Sequence, residues 1–374
     1  MNNITKKLFI LLIIVPLILC GCWDQVLVEK TGFITILGIE SAENGGMKLT
    51  FAMPVIDPTS KARGEILDME ANLLREGREK TSRTSSKTML GGKVQLVLYS
   101  KEISQRGVIS NINSIFERDA ANAVLAWVVI VDGSSRELIH QVENFNDKPR
   151  PSTYMNQLLQ RAVHNAATTE TRIYNYNLIS MAPGIDNIAP LIKLNPNSVE
   201  VKGSALFSKG KMVGTIDNRQ NGLLMAMMTT LKNKIYTYQA SDIIAENNES
   251  PKLGLAIHID QKSKKIDVSI KNNKPVVDIK LVLNGIIDEY KSDNLNDENK
   301  IKQLSEHVQE QIQKDCQKLI EYMQSVESDP IGIGDIVRAK NNAYFKRVDW
   351  HTAYKEATIT IHVKFNINEY GSMY

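Results

Sequence analysis

Cysteine is scarce in this chain, and the scarcity already restricts its architecture. The 374 residues hold only Cys20, Cys22 and Cys316. The first two belong to an N-terminal leader and its processing site, so no disulfide can form within one processed chain. The core alone must hold the fold. An excess of either charge is also lacking: Lys and Arg total 45 against 42 Asp and Glu. Removing a leader that carries Lys6 and Lys7 brings the chain closer still to neutrality. This argues against nucleic-acid binding, which normally shows as a basic excess or stripe. Beyond residue 22 no run is long and apolar enough to span a membrane. The six histidines include no pair at i, i+4, and neither H-E-x-x-H nor G-x-S-x-G occurs. With 43% hydrophobic and 23% charged residues, the composition is that of ordinary globular protein. The missing active-site constellation shifts weight towards binding or scaffolding.

The most informative residues are at the start. Lys6 and Lys7 form a positive n-region, and the apolar run Leu8–Leu19 has the length of a signal-peptide h-region, short of the roughly 20 residues of a spanning helix. Pro16 weakens a spanning helix further. Leu19-Cys20-Gly21-Cys22 then reads as a lipobox. The expectation is cleavage after Gly21, which removes residues 1–21 as a lipoprotein signal peptide. An S-diacylglyceryl group and an N-acyl group then sit on Cys22.

Hydrophobic periodicity divides the rest into an N-terminal α/β region, residues 22–197, with room for two subdomains, and a C-terminal α+β domain, residues 198–374. Phe33–Glu40 and Met47–Val55 flank Asn44-Gly45-Gly46 and read as a hairpin. A polar stretch from Asp57 to about Thr88 reads as helical. The strands Lys93–Tyr99 and Val124–Val131 alternate with helix Gln105–Arg118, and the unbroken apolar run of the second strand implies burial on both faces. Helices follow at Ser134–Glu143 and Ser152–Ala167. Thr168–Pro196, rich in Asn and Pro, reads mainly as loop.

The second half changes character. Val199–Phe207 and Lys211–Ile216 form a second hairpin, and Gly222–Leu231 a short helix. Three period-two segments follow, around Leu255, Val268 and Ile279, as expected of an antiparallel sheet with one apolar face. In residues 297–325 the apolar positions Ile301, Leu304, Val308, Ile312, Cys316, Leu319 and Met323 share one helical face. That face is expected to cover the sheet of its own domain, with Cys316 as a buried small hydrophobe. Ala357–Ile367 is the last strand. The fold class is therefore α+β or mixed α/β: several small domains, each a mixed or antiparallel sheet packed with helices.

Other residues carry weaker signals. His258 and His362 lie on polar sides of strands, where they more simply stand alone than share a metal. Gly332-Ile333-Gly334 follows a helix and lacks a third glycine, so it reads as a turn off that helix. Arg118-Asp119 reads as a helix cap and surface pair, and Gly91-Gly92 as a helix stop. No cofactor is expected.

Several segments, taken in order, resemble the Ger(x)C family, the lipoprotein C subunits of spore nutrient germinant receptors. They are Gly21-Cys22-Trp23-Asp24 with Leu37-Gly38-Ile39-Glu40; Phe116-Glu117-Arg118-Asp119; Lys202-Gly203-Ser204-Ala205-Leu206-Phe207 with Lys211-Met212-Val213-Gly214; and Asp329-Pro330-Ile331-Gly332-Ile333-Gly334 with Asp349-Trp350. Thr215 departs from the Trp often found there. The resemblance implies a non-enzymatic subunit that assembles or stabilises the receptor and relays the nutrient signal. Its partners would be the receptor's A and B subunits, both membrane proteins, and the bilayer through Cys22. Its implied place is the outer face of the spore's inner membrane. No nucleic acid and no tight small-molecule site are expected. The rival readings are a solute-binding lipoprotein of a transporter, which would need two similar lobes, and an exported hydrolase.

Overall fold

The computed structural model describes residues 30–56, 59–60, 62–118, 123–232, 234–239, 254–290 and 298–370. The first part of the chain runs β1 (Thr31–Phe33), β2 (Ile36–Ser41), β3 (Met47–Pro54), β4 (Gly64–Ala71), α1 (Leu74–Ser82), β5 (Thr88–Leu90), β6 (Leu96–Ser100), α2 (Lys101–Gln105), α3 (Ile109–Arg118), β7 (Trp127–Val131), α4 (Ser135–Glu143), α5 (Pro151–His164), α6 (Ile173–Met181) and β8 (Ile188–Asn195). The second continues with β9 (Ser198–Ser208), β10 (Lys211–Asp217), α7 (Asn218–Met228), β11 (Lys234–Gln239), β12 (Gly254–Lys271), β13 (Lys274–Tyr290), α8 (Glu298–Ser325), α9 (Ile333–Lys340), α10 (Asn342–Phe345), α11 (Trp350–Lys355) and β14 (Thr358–Tyr370).

Two main sheets result, and their sequences explain why they differ. The larger has strand order β10-β9-β8-β7-β6-β2-β3-β4, with β2, β6, β7 and β8 parallel in its centre. Every residue of β6 and β7 is buried, because helices cover both faces. Val97, Tyr99, Val128 and Ile130 pack with Ile109, Ile112, Phe116, Ile173 and Tyr176 on one side. Leu96, Leu98, Trp127 and Val129 pack with Leu138, Ile139, Val142, Met155 and Leu159 on the other. Parallel strands joined by helical crossovers have no solvent face, so an unbroken apolar run is what the geometry demands.

The smaller sheet has order β11-β12-β13-β14. Its core strands alternate: along β13, Val277, Ile279, Leu281 and Leu283 are buried while Lys280 is exposed. β12 and β13 form one long hairpin turned by Asn272 and Asn273, whose φ values of 48° and 60° suit a type I′ turn. The two period-two segments before this turn are one strand, not two, since the ladder continues past a register shift between Gln261 and Ser263. β14 joins parallel to β13, so the sheet is mixed. The helix expected over 297–325 is observed as Glu298–Ser325, about 42 Å long at 1.5 Å per residue. Leu304, Val308, Ile312, Cys316, Leu319 and Met323 are all buried in the cluster that holds the sheet's inner face. The helix covers the sheet of its own unit, as its periodicity implies.

Three readings need correction. The polar stretch taken as helical to Thr88 contains β4, which pairs with β3 from Met47 opposite Ala71 to Pro54 opposite Gly64. Pairing with a neighbour overrides local composition there, and Thr50 Oγ1 donates to Asp68 Oδ1 across the pair at 2.7 Å. The Asn- and Pro-rich stretch Thr168–Pro196 holds α6 and the central strand β8. Pro190 disguised that strand, but the ladder to β7 involves only Leu191 and Ile192, past the proline. Gly91-Gly92 follows strand β5, not a helix.

The division expected between residues 197 and 198 passes through the larger sheet, because β9 pairs antiparallel with β8 and β10 with β9. The apolar side chains change cluster within this edge of the sheet: Ile188, Leu206 and Ile216 already belong with Leu223, Leu224 and Met227 of α7, Tyr236, Ile257 and α8. All three apolar clusters are built from residues 34 to 365.

Candidate functional site

The junction between the two sheets gathers polar groups from parts of the chain far apart in sequence. Four segments meet there: the loop after α6, the end of β9, the loop that follows α8, and the start of α11. The resemblance motifs Asp329-Pro330-Ile331-Gly332-Ile333-Gly334 and Asp349-Trp350 fall in this place.

Its centre is Asp329, which is 1% exposed. Its Oδ1 accepts the backbone N–H of Gly332 at 3.0 Å and of Ile333 at 3.1 Å. Its Oδ2 accepts the N–H of Gly334 at 2.8 Å and Trp350 Nε1–H at 3.1 Å. The Gly-x-Gly is therefore not only a turn. Gly332, at φ 77°, is the N-cap of α9, and the bend aims successive N–H groups at one carboxylate, a backbone anion nest at a helix start. A Cβ on Gly334 would overlap Trp350 Nε1. Both glycines are needed for this approach.

Asp329 is bound in turn to the larger sheet's unit. Its N–H donates to Asp186 Oδ2 at 2.9 Å, and the Asp186 N–H donates to the Asp329 carbonyl at 3.0 Å. His351 Nε2 lies 3.1 Å from Asp186 Oδ1. Ser328 Oγ donates to the Phe207 carbonyl of β9 at 2.6 Å, and the Asp335 N–H to the Gly184 carbonyl at 2.9 Å. Burial pushes the Asp329 carboxyl up to about 7, against the pull of its N–H donors. The bond to Asp186 raises His351.

The long helix adds a second connection. Tyr322 Oη accepts the N–H of Thr215 on the edge strand β10 at 3.2 Å, and a Cβ on Gly214 would overlap that hydroxyl. Thr215, the departure noted above, thus sits at the junction. Arg219 Nη2 reaches Asp315 Oδ2 of α8 at 3.1 Å. The same helix closes the free edge of β14: Gln309 and Gln313 accept the N–H groups of Phe365 and Val363 at 3.0 and 3.1 Å, and Ser305 donates to the Phe365 carbonyl. What the arrangement does chemically is fasten: it ties the two sheets together through bonds that are buried around Asp329 and Ser328 and partly exposed along the long helix.

The other candidates fall apart in space. His258 is opposite Ile286 and His362 opposite Lys280 along β13, and each faces its own aspartate, Asp288 at 3.4 Å and Asp278 at 3.2 Å. No group of three metal-ligating side chains occurs among the described residues. Cys316 is fully buried, and burial raises its thiol, which makes it inert. Arg118 ends α3 in solvent. Cys22 and Asp119 lie outside the described residues. Sequence reasoning missed Asp186 and His351. Neither stands in a motif, and only folding brings them to Asp329.

Residues 24–194 match the family described as spore germination protein N-terminal domain, and residues 202–371 match spore germination B3/GerAC-like, C-terminal. Over 367 residues the chain is 21% identical to spore germination protein GerQC of Bacillus cereus, covering 98% of this chain and 99% of that one. Over 382 residues it is 20% identical to spore germination protein B3 of Bacillus subtilis strain 168, covering 99% of each. Its fold is similar to the crystal structure of the GerBC protein, with a TM-score of 0.55 at 15% identity, over 91% of this chain and 100% of that one.

Proposed function

This chain belongs to the GerAC-like family of spore germination proteins, and from that premise we propose that it is the lipid-anchored C subunit of a nutrient germinant receptor. The observation that carries the reading is the extent of the match. Two family domains account for residues 24–371 almost without a gap, beginning two residues after the cysteine of the lipobox. In this reading Cys22 carries the diacylglyceryl and N-acyl groups and holds the subunit on the outer face of the spore's inner membrane. More than one acyl chain gives stable anchoring where a single chain gives only marginal binding. Confinement to the surface raises the effective concentration for the A and B subunits.

The subunit is proposed to be non-enzymatic and to relay the nutrient signal through its assembly. The buried junction suits that role, since a rigid coupling of two sheets lets a contact on one reposition the other. The rival solute-binding reading needs two similar lobes, whereas the sheets here have eight and four strands of different topology. The test is Cys22→Ala in sporulating cells. Fatty-acid labelling should vanish, the precursor should stay uncleaved, and germination with one set of nutrients should fall while non-nutrient triggers still work. Labelling that persists in the variant would refute the anchor. Unchanged nutrient responses in a strain without the protein and without a second copy would refute the receptor role.

A further inference from the structure

Helix α6 faces the wrong way for water. Its inward side carries Tyr176 and Asn177, both buried, and the side-chain amide of Asn177 has no hydrogen-bond partner among the described residues. Its outward side carries Tyr174, Leu178 and Met181, which are 43%, 60% and 73% exposed. Steps of four and three put these on one helical face. Leu125, 67% exposed, stands at the start of the helix, where the Tyr174 N–H donates to the Val124 carbonyl at 3.1 Å. In a helix whose outer side meets only water, the asparagine belongs outside and the leucine inside. The reversed order suits a helix whose outer side is covered.

What covers it follows from the chemistry around it. Residues 173–185 and 107–116, which include α6 and most of α3, hold no charge, although 23% of the whole chain is charged. α3 meets α6 through Ser110 Oγ and Ser180 Oγ at 2.9 Å. The hydroxyls along this seam are already engaged, since Ser180 donates to the Tyr176 carbonyl and Ser114 to the Asn111 carbonyl. An occupant therefore needs neither charge nor polar group. Small serines beside the ridge of Leu178 and Met181 leave room for a helix to lie close. A bilayer fits less well, because helices that rest on a membrane surface carry Lys or Arg on their polar face. The nearby Arg172 is committed to Glu170 at 2.9 Å and to the Trp127 ring. Four side chains offer less than the roughly 800 Å² that each partner of a standard interface buries, too little to join two free copies. They suffice for a contact inside an assembly that an anchor already concentrates.

We propose that α6 is the docking surface for an uncharged, apolar helix of a partner subunit of the receptor. The inference rests on the receptor reading above and adds to it the surface and the kind of partner segment. Leu178 and Met181 enter the partner helix's groove, and Tyr174 and Leu125 close one end. The position of α6 gives the contact a consequence. Asp186 follows Met181 by five residues, so the helix leads directly into the junction. There the Gly184 carbonyl accepts the Asp335 N–H, and Asp186 accepts the Asp329 N–H. A partner that shifts α6 therefore pulls on the bonds that tie the two sheets.

The test uses the full chain, tagged and recovered from spore membranes, with photoreactive benzoylphenylalanine in place of Leu178 or of Met181. Irradiation before solubilisation should give, at both positions, a product that mass spectrometry identifies as this chain joined to a receptor A or B subunit. The same probe in place of Ile235 or Ile286, exposed apolar residues of the smaller sheet, should give no such product. Leu178→Ser and Met181→Ser together should lower recovery of the partner subunits on the order of tenfold, with an unchanged thermal melt of the purified chain. Germination with nutrients should slow in that variant while non-nutrient triggers still work. No product at either position, equal yields at the control positions, or full recovery in the double variant would overturn the proposal. So would a product with a second copy, with lipid, or with residues 23–29 of the same chain. Failure of the unsubstituted chain to bring down any receptor subunit would refute the receptor reading itself, and this contact with it.

Discussion

Strands β6 and β7 are buried at all five of their positions, whereas β13 alternates over much of its length between buried and half-buried or exposed residues. The first sheet is a middle layer, closed above and below by helices that lie in sequence between its strands. The second is an outer layer with one apolar face, covered along its length by the long helix α8, with α7 and the short helices α9 to α11 packed into the same core. The larger sheet's centre thus depends on contacts from several short helices on two faces, while one 28-residue helix supplies the largest continuous cover of the smaller sheet. Damage should be distributed in the first and concentrated in the second.

The sharpest way to break that contrast is to place a charge under the long helix. Val308→Asp or Ile312→Asp, each at a position 1% exposed, buries an unpaired carboxylate and should destabilise the smaller unit by about 4 kcal/mol or more. Hydrogen exchange should then show lost protection in β12–β14 with the centre of the larger sheet still protected. Uniform loss across both sheets would show a single cooperative block instead.

A smaller effect is expected at the junction. Asp329→Ala leaves the N–H groups of Gly332, Ile333, Gly334 and Trp350 without their acceptor and should cost about 3 kcal/mol. Its melt should separate into two transitions. The native protein should also lose stability as pH rises. Asp329 has its carboxyl raised by burial from 3.8 to about 7, and His351 is raised above 6.5 by its bond to Asp186. Both groups bind protons more tightly folded than unfolded. Their contributions are complete below the unfolded values and are lost as pH climbs through the folded ones, near 7 for Asp329. Melting temperature measured from about pH 5 to about pH 8.5 should therefore fall, and fall less in Asp329→Ala.

The smallest effect concerns the closed edge. Gln313→Ala removes the acceptor of the Val363 N–H and should destabilise by about 1 kcal/mol. The re-opened edge of β14 is expected to promote pairing between copies, measurable as concentration-dependent aggregation by light scattering.

How legible each region was follows from the same contrast. The long helix and the strands of the smaller sheet declare themselves, since a layer with one buried face writes its period into the chain: steps of three and four from Leu304 to Met323, steps of two from Val277 to Leu283. β6 and β7 were readable as continuous apolar runs. β4 was not, because its position beside β3 leaves it half-buried, and its acids and the Ser, Thr, Lys and Arg around it carry no strand pattern. β8 was hidden by Pro190. At the junction, the Gly-x-Gly and Asp329 were visible as a motif, but the motif's purpose was not, because the carboxylate it holds is bonded to Asp186, well over a hundred residues away.

The sequence by itself determined the elements whose reason is local: the lipobox expectation at Cys22, the amphipathic helix, the alternating strands, and the family they compose. Tertiary structure alone decided which strands share a sheet, so that β9 and β10 complete the first sheet while the helix after them belongs to the second core. It alone brought Asp186, Asp329, Trp350 and His351 together. Periodicity records how a segment meets its immediate surroundings. Long-range pairing depends on shape and hydrogen bonding between segments that carry no mark of one another.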